Sequence, residues 1–150
     1  MKKELSGRSI IGRGRGNENA NTFQAVDPRS GEVTGPLFFS TDPEELARAA
    51  FLAAEARTQF GKLPCRSKAK FLRRIADNIE SLGDDLVRRA SLETALPAAR
   101  IEGERARTCF QLRMFADLLE EGSWVEARID LPDKNRLPLP KPDLRSMLVP

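Results

Sequence analysis

Apolar positions along this chain change their period twice: close to two near the start, three to four through the middle, and two again near the end. Asn21 to Val26 (NTFQAV) alternates as a short strand does, and Val33 to Phe39 supplies a second strand. Between them, Asp27-Pro28-Arg29-Ser30-Gly31-Glu32 carries turn chemistry, because proline presets φ at one position and Gly31 permits a positive φ at another. Residues 5 to 39 therefore predict a small antiparallel arrangement around tight turns.

At Asp42 the period becomes helical. Asp42 suits the cap, Pro43 the first helical position, and Glu45 stands three residues after the cap. The first helix sets Leu46, Ala49, Ala50, Ala53, Ala54 and Phe60 on one stripe, which predicts close packing against a neighbour. A second helix from near Ser67 carries Phe71, Leu72, Ile75, Ala76, Ile79 and Leu82 and ends at Gly83, whose missing Cβ allows a left-handed turn. Asp84 is placed to cap a third helix, through Leu86, Val87, Ala90 and Leu92 to about Ala95, and Pro97 prevents its simple continuation. The fourth and longest, Ala98 to Glu121, buries Ile101, Cys109, Leu112, Phe115, Ala116 and Leu119 and stops at Gly122. Gly103 inside it costs about 1 kcal/mol relative to alanine, which tertiary contacts must offset.

From Trp124 the period of two returns, with Trp124, Glu126, Arg128 and Asp130 opposing Val125, Ala127, Ile129 and Leu131. This predicts a strand or hairpin arm, with a turn at Asp133, Lys134 and Asn135. Prolines 138, 140 and 142 exclude a central strand before Asp143, while Leu144 to Val149 can pair at an edge. The apolar ending Met-Leu-Val-Pro lacks the polar tail of most globular chains and leads us to expect a fragment of a longer protein.

Composition narrows the chemistry. The 150 residues are 40% hydrophobic and 31% charged, which fits one soluble domain. No apolar run approaches the roughly 18 residues of a spanning helix, and the start lacks the features of a signal peptide, so no membrane partner and a cytoplasmic location are expected. The chain has no histidine and no tyrosine, which removes a Ser/His/Asp triad, a histidine metal site and a tyrosine acid; no metal is expected. Basic residues crowd the first 16 positions, where Lys2, Lys3, Arg8, Arg13 and Arg15 face only Glu4, so residues 1–20 read as a basic flexible tail. The remainder is close to neutral with alternating signs, the pattern of a solvated surface, and no nucleic-acid partner is expected.

Few motifs carry chemistry. Gly12-Arg13-Gly14-Arg15-Gly16 has the glycines of a phosphate loop but not the preceding strand and following helix that such a loop needs; a flexible loop or hairpin tip fits better. Cys109 matches the apolar stripe of its helix and reads as a core residue. Cys65, beside Arg66 at a helix start, has no histidine to act as its base. Arg100, Arg107, Gln111 and Met114 share one side of the fourth helix. A solvated face and a cleft wall both accommodate that pattern, and in a cleft the planar fork of Arg107 suits a substrate carboxylate.

In order and spacing, the Asp27–Glu32 turn, the alanine-rich helix ending at Phe60, Arg66 with Phe71-Leu72-Arg73-Arg74-Ile75-Ala76, and Glu93-Thr94 with Pro97 resemble the N-terminal region of the aldehyde dehydrogenase superfamily. Gly103-Glu104-Arg105-Ala106-Arg107-Thr108 and Gln111-Leu112-Arg113-Met114-Phe115-Ala116 resemble its alpha-ketoglutaric semialdehyde (dioxovalerate) branch. The resemblance, over about residues 20 to 150, implies an α/β parent fold of which this chain is a mainly helical piece with short β-hairpins at both ends. It also implies NAD(P)-dependent oxidation of a small aldehyde through a cysteine thiohemiacetal, with the nucleophile, the glutamate base and most cofactor contacts falling after the equivalent of Pro150. No catalytic or cofactor-binding residue is therefore expected here, and the chain alone is expected to be inactive. Residues 21–123 correspond by resemblance to the N-terminal helical part of the cofactor-binding domain, and 124–150 to a truncated strand arm through which family members form homo-oligomers. Arg107 becomes the candidate for holding a substrate carboxylate. The competing expectation is a free-standing helical interaction module whose basic tail meets an acidic partner or RNA.

Overall fold

The computed structural model describes residues 5–19 and 21–148. In chain order it contains β1 (Ile10–Ile11), β2 (Gly14–Arg15), β3 (Thr22–Val26), β4 (Val33–Phe39), α1 (Pro43–Gly61), α2 (Cys65–Ser81), α3 (Gly83–Thr94), α4 (Ala98–Glu121), a 3-10 turn (Ser123–Val125), β5 (Arg128–Asp130) and β6 (Leu144–Ser146). Two compact units result: one runs up to Leu63 and takes in Ile79–Arg107, and the other comprises Pro64–Asn78 and the chain from Thr108 onward. All three strand pairs, β1–β2, β3–β4 and β5–β6, are antiparallel.

In the first unit, the stretch expected to be a flexible tail is partly ordered, although Met1–Glu4 and Ala20 lie outside the described residues. Gly12 takes φ 60 in the two-residue loop between β1 and β2, the position at which a tight hairpin favours glycine, and Ile11 is buried. Gly7 runs so close to β4 that a Cβ there would stand 1.7 Å from the Leu37 carbonyl oxygen, and its own carbonyl accepts from the Phe39 N–H at 3.0 Å. Composition hides this order, because backbone pairing at Gly7 needs no apolar side chain.

The β3–β4 hairpin closes as its turn residues dictate. The Asp27 N–H donates to the Glu32 carbonyl at 2.9 Å, the Gly31 N–H to the Asp27 carbonyl at 2.8 Å, and Gly31 sits at φ 74. Gly35 and Pro36 fall where the register shifts, so the proline needs no ladder donor there. Rings of Phe23 and Phe38 stack across the pair at 5.4 Å.

Asp42 caps α1, its Oδ1 accepting from the Glu45 N–H at 2.8 Å. The Glu45 carboxylate does not reach back to the cap. It is buried and accepts from the Asn17 N–H at 2.5 Å, which ties the irregular segment after β2 to the helix. The stripe expected to pack closely is largely bare: Leu46, Ala50, Ala53, Ala54 and Phe60 are exposed and only Ala49 is half-buried, while the β1–β2 hairpin lies instead against Leu52, outside that stripe. Gly83, at φ 54, turns the chain so tightly that α3 begins there, and Asp84 lies inside the first turn instead of capping it. Ala95 closes α3 in the left-handed conformation.

In the second unit, α2 and α4 pack through small residues. Ala69, Ala76, Cys109 and Ala116 are buried, and the Cys109 thiol lies 3.6 Å from the Ala76 carbonyl. Ion pairs border this seam: Arg73 with Asp117 at 2.6 Å and Glu120 at 2.8 Å, and Arg113 with Asp77 at 2.9 Å. Phe71 and Phe115, expected inside, are about half exposed at 51% and 52%, because a seam of alanine and cysteine leaves no width for rings. Trp124 belongs to a 3-10 turn between Gly122 at φ 83 and Glu126 at φ 45, so β5 begins only at Arg128. β6 covers the start of the expected Leu144 to Val149 strand, of which Val149 lies outside the described residues.

Candidate functional site

Two places gather functional side chains. The first is the side of α4 that bears Arg107. Arg107 is exposed and makes no hydrogen bond or ion pair among the described residues, whereas Arg100, two turns earlier, is held by Glu104 at 2.7 Å. Gln111 and Met114, further along the same helix, are also exposed. The arrangement offers a free guanidinium able to grip a carboxylate with both of its outer nitrogens.

The second lies wholly in the second unit and was not singled out from the sequence. An open groove of about 700 Å³ is lined by Arg66, Ser67, Lys70, Phe71, Arg73, Arg74, Asp77 and Glu120. Arg73 is neutralised there by its two carboxylates, whose hydrogen bonds push its pKa above the ordinary guanidinium value. In return, the hydrogen bond from Arg73, aided by its charge and that of Arg66, holds the Glu120 carboxyl below the usual carboxylate range. Arg66, Lys70 and Arg74 are exposed and make no hydrogen bond or ion pair among the described residues. The signal was present in the sequence as basic residues recurring every three to four positions, a spacing equally typical of a solvated helix face.

The other candidates separate. Cys109 is buried in the seam and Cys65 is half-buried at the start of α2. Gly12 to Gly16 form a hairpin, the next element along the chain is the strand β3 and not a helix, and no parallel strand pair occurs among the described residues. A dinucleotide needs a strand, a glycine turn and a helix N-terminus in succession, so the described residues do not fit one. Among them, no group of histidine, cysteine or carboxylate side chains is arranged to hold a metal ion, and no helix is long and apolar enough to cross a membrane.

The model of the aldehyde dehydrogenase family matches residues 15–139, most of the chain. The chain belongs to that family. It is 41% identical to alpha-ketoglutaric semialdehyde dehydrogenase 2 of Azospirillum brasilense over 143 residues, covering 95% of this chain and 27% of that protein. The alpha-ketoglutaric semialdehyde dehydrogenase of Acinetobacter baylyi is 38% identical over 142 residues, with the same coverage of 95% and 27%. The 2-hydroxymuconic semialdehyde dehydrogenase of a Pseudomonas strain is 27% identical over 121 residues, covering 79% of this chain and 24% of that protein. Among solved structures, HpcC from Thermus thermophilus matches with a TM-score of 0.66 and 26% identity, over 73% of this chain and 21% of that one. This aldehyde dehydrogenase chain thus spans about a quarter of the length of the relatives it matches.

Proposed function

We propose that the chain is the N-terminal part of an NAD(P)-dependent aldehyde dehydrogenase that oxidises a carboxylated semialdehyde, such as alpha-ketoglutaric semialdehyde, to its acid. The observation that carries this reading is the 41% identity to an alpha-ketoglutaric semialdehyde dehydrogenase across nearly the whole chain. In this reading residues 21–123 supply helices to the cofactor-binding domain, and 124–150 supply a strand arm that pairs with another subunit of a homo-oligomer. The antiparallel β5–β6 pair, with Ile129 and Leu131 exposed, supports that role for the arm.

Chemistry in the family uses a cysteine nucleophile and a hydride acceptor. In this reading the nucleophile, the glutamate base and most cofactor contacts belong to the rest of the protein, and the 150 residues alone are expected to turn nothing over. Their contribution is binding. Arg107, unpaired on α4, is the residue assigned to the substrate carboxylate, and two N–H groups directed at two oxygens would fix the substrate's remote end.

The test uses the protein in which this segment is joined to the rest of the family's length. Arg107→Ala is expected to lower kcat/KM for a carboxylated aldehyde by roughly tenfold or more, the scale of one lost charged hydrogen bond, while sparing an uncharged aldehyde of similar size. Equal losses on the two substrates would sink the assignment.

A further inference from the structure

The groove on α2 contains cationic groups that the dehydrogenase reading leaves unused. Arg66, Lys70 and Arg74 follow one another at steps of four residues, spread over about 12 Å of helix axis at 1.5 Å per residue. All three are exposed and unpaired among the described residues, although acceptors stand close by: Glu120 and Asp117 are taken by Arg73, and Asp77 by Arg113. The local acidic groups are therefore committed to bordering the α2–α4 seam, and the three cations are left facing the open groove. Ser67 adds a hydroxyl beside Arg66, and the half-exposed Phe71 also lines the groove.

A single small anion engages one or two of these groups at a time. An anion with several linked charges can engage all three, and guanidinium and ammonium groups on long stems can converge on it. Both ligand size and charge sign fit, since a groove of about 700 Å³ accommodates a small organic phosphate.

We propose that this groove is a binding site for a small molecule carrying two or more linked phosphate groups, held by Arg66, Lys70 and Arg74 with Ser67 as a further donor. This site does not rest on the dehydrogenase reading and survives its failure.

The experiment is a calorimetric titration of the 150-residue chain with tripolyphosphate, and separately with inorganic phosphate, at low ionic strength. Tripolyphosphate is expected to bind at least roughly tenfold more tightly than inorganic phosphate, and the triple change Arg66→Gln, Lys70→Gln and Arg74→Gln is expected to weaken it by a similar factor or more. A charge-matched control, Arg48→Gln with Arg57→Gln and Lys62→Gln on α1 and just beyond it, is expected to leave binding unchanged. ATP binding more tightly than tripolyphosphate, with the difference lost in Phe71→Ala, would show that the ligand also places a ring on Phe71; equal binding would assign recognition to the phosphate chain alone. Absence of tripolyphosphate binding, no preference for it over inorganic phosphate, or equal weakening by the control triple would overturn the proposal, the last because net charge and not the groove would then explain the affinity.

Discussion

At the scale of single residues, the cap of α1 shows how far local spacing reaches. Asp42 and Glu45 stand at the separation of a capping pair, and the Asp42 carboxylate does accept from the Glu45 N–H at 2.8 Å. The destination of the Glu45 side chain was not legible, because its partner Asn17 lies 28 residues away, just past the β1–β2 hairpin. Asp42→Ala is expected to lower stability by about 1 kcal/mol, read as a shift of the urea midpoint, whereas Asp42→Asn should stay close to the parent. Glu120 governs part of the acid response. Arg73 depresses its folded pKa below the ordinary 4.5, so its stabilisation is present above that value and is lost as pH falls from it through the folded value. The parent should therefore lose stability in that acid window, and Glu120→Gln should flatten this part of the pH profile; an unchanged slope would contradict the assignment.

Elements were more legible than their surroundings. Strand β4 and helix α4 fall at the boundaries their periodicity predicts, because each is long and bounded by proline, glycine or a cap. Which side of each helix is covered was less legible, since periodicity identifies an apolar face without identifying what lies against it. Phe115 shares the period of Ala116 and Cys109, yet only the small residues enter the seam. That seam makes two testable statements. Ala76→Leu should destabilise the chain by about 1–3 kcal/mol through overpacking in urea unfolding. A thiol reagent should label half-buried Cys65 in the native chain but reach Cys109 only on unfolding; rapid native labelling of both would show that α2 and α4 do not pack as described.

For the whole molecule, membership of the aldehyde dehydrogenase family was readable from the order of the Asp27–Glu32 turn, the alanine-rich helix and the α2 and α4 motifs, and the family model matches residues 15–139. The basic groove was not, because charge at helical spacing looks alike on an idle surface and in a binding site. Large apolar residues remain uncovered, among them Leu46 at 65%, Phe51 at 61% and Phe110 at 65%. Faces of that kind should bind a hydrophobic dye or associate at moderate concentration, visible in light scattering. In the function proposed above, this chain contributes positioning elements to an aldehyde dehydrogenase whose reacting groups belong to the rest of the protein. The most direct test of that function is reduction of NAD or NADP by the purified 150-residue chain with alpha-ketoglutaric semialdehyde, followed by absorbance beside a full-length relative. No reduced cofactor above the enzyme-free rate is expected, and sustained reduction by the chain alone would overturn the proposed function.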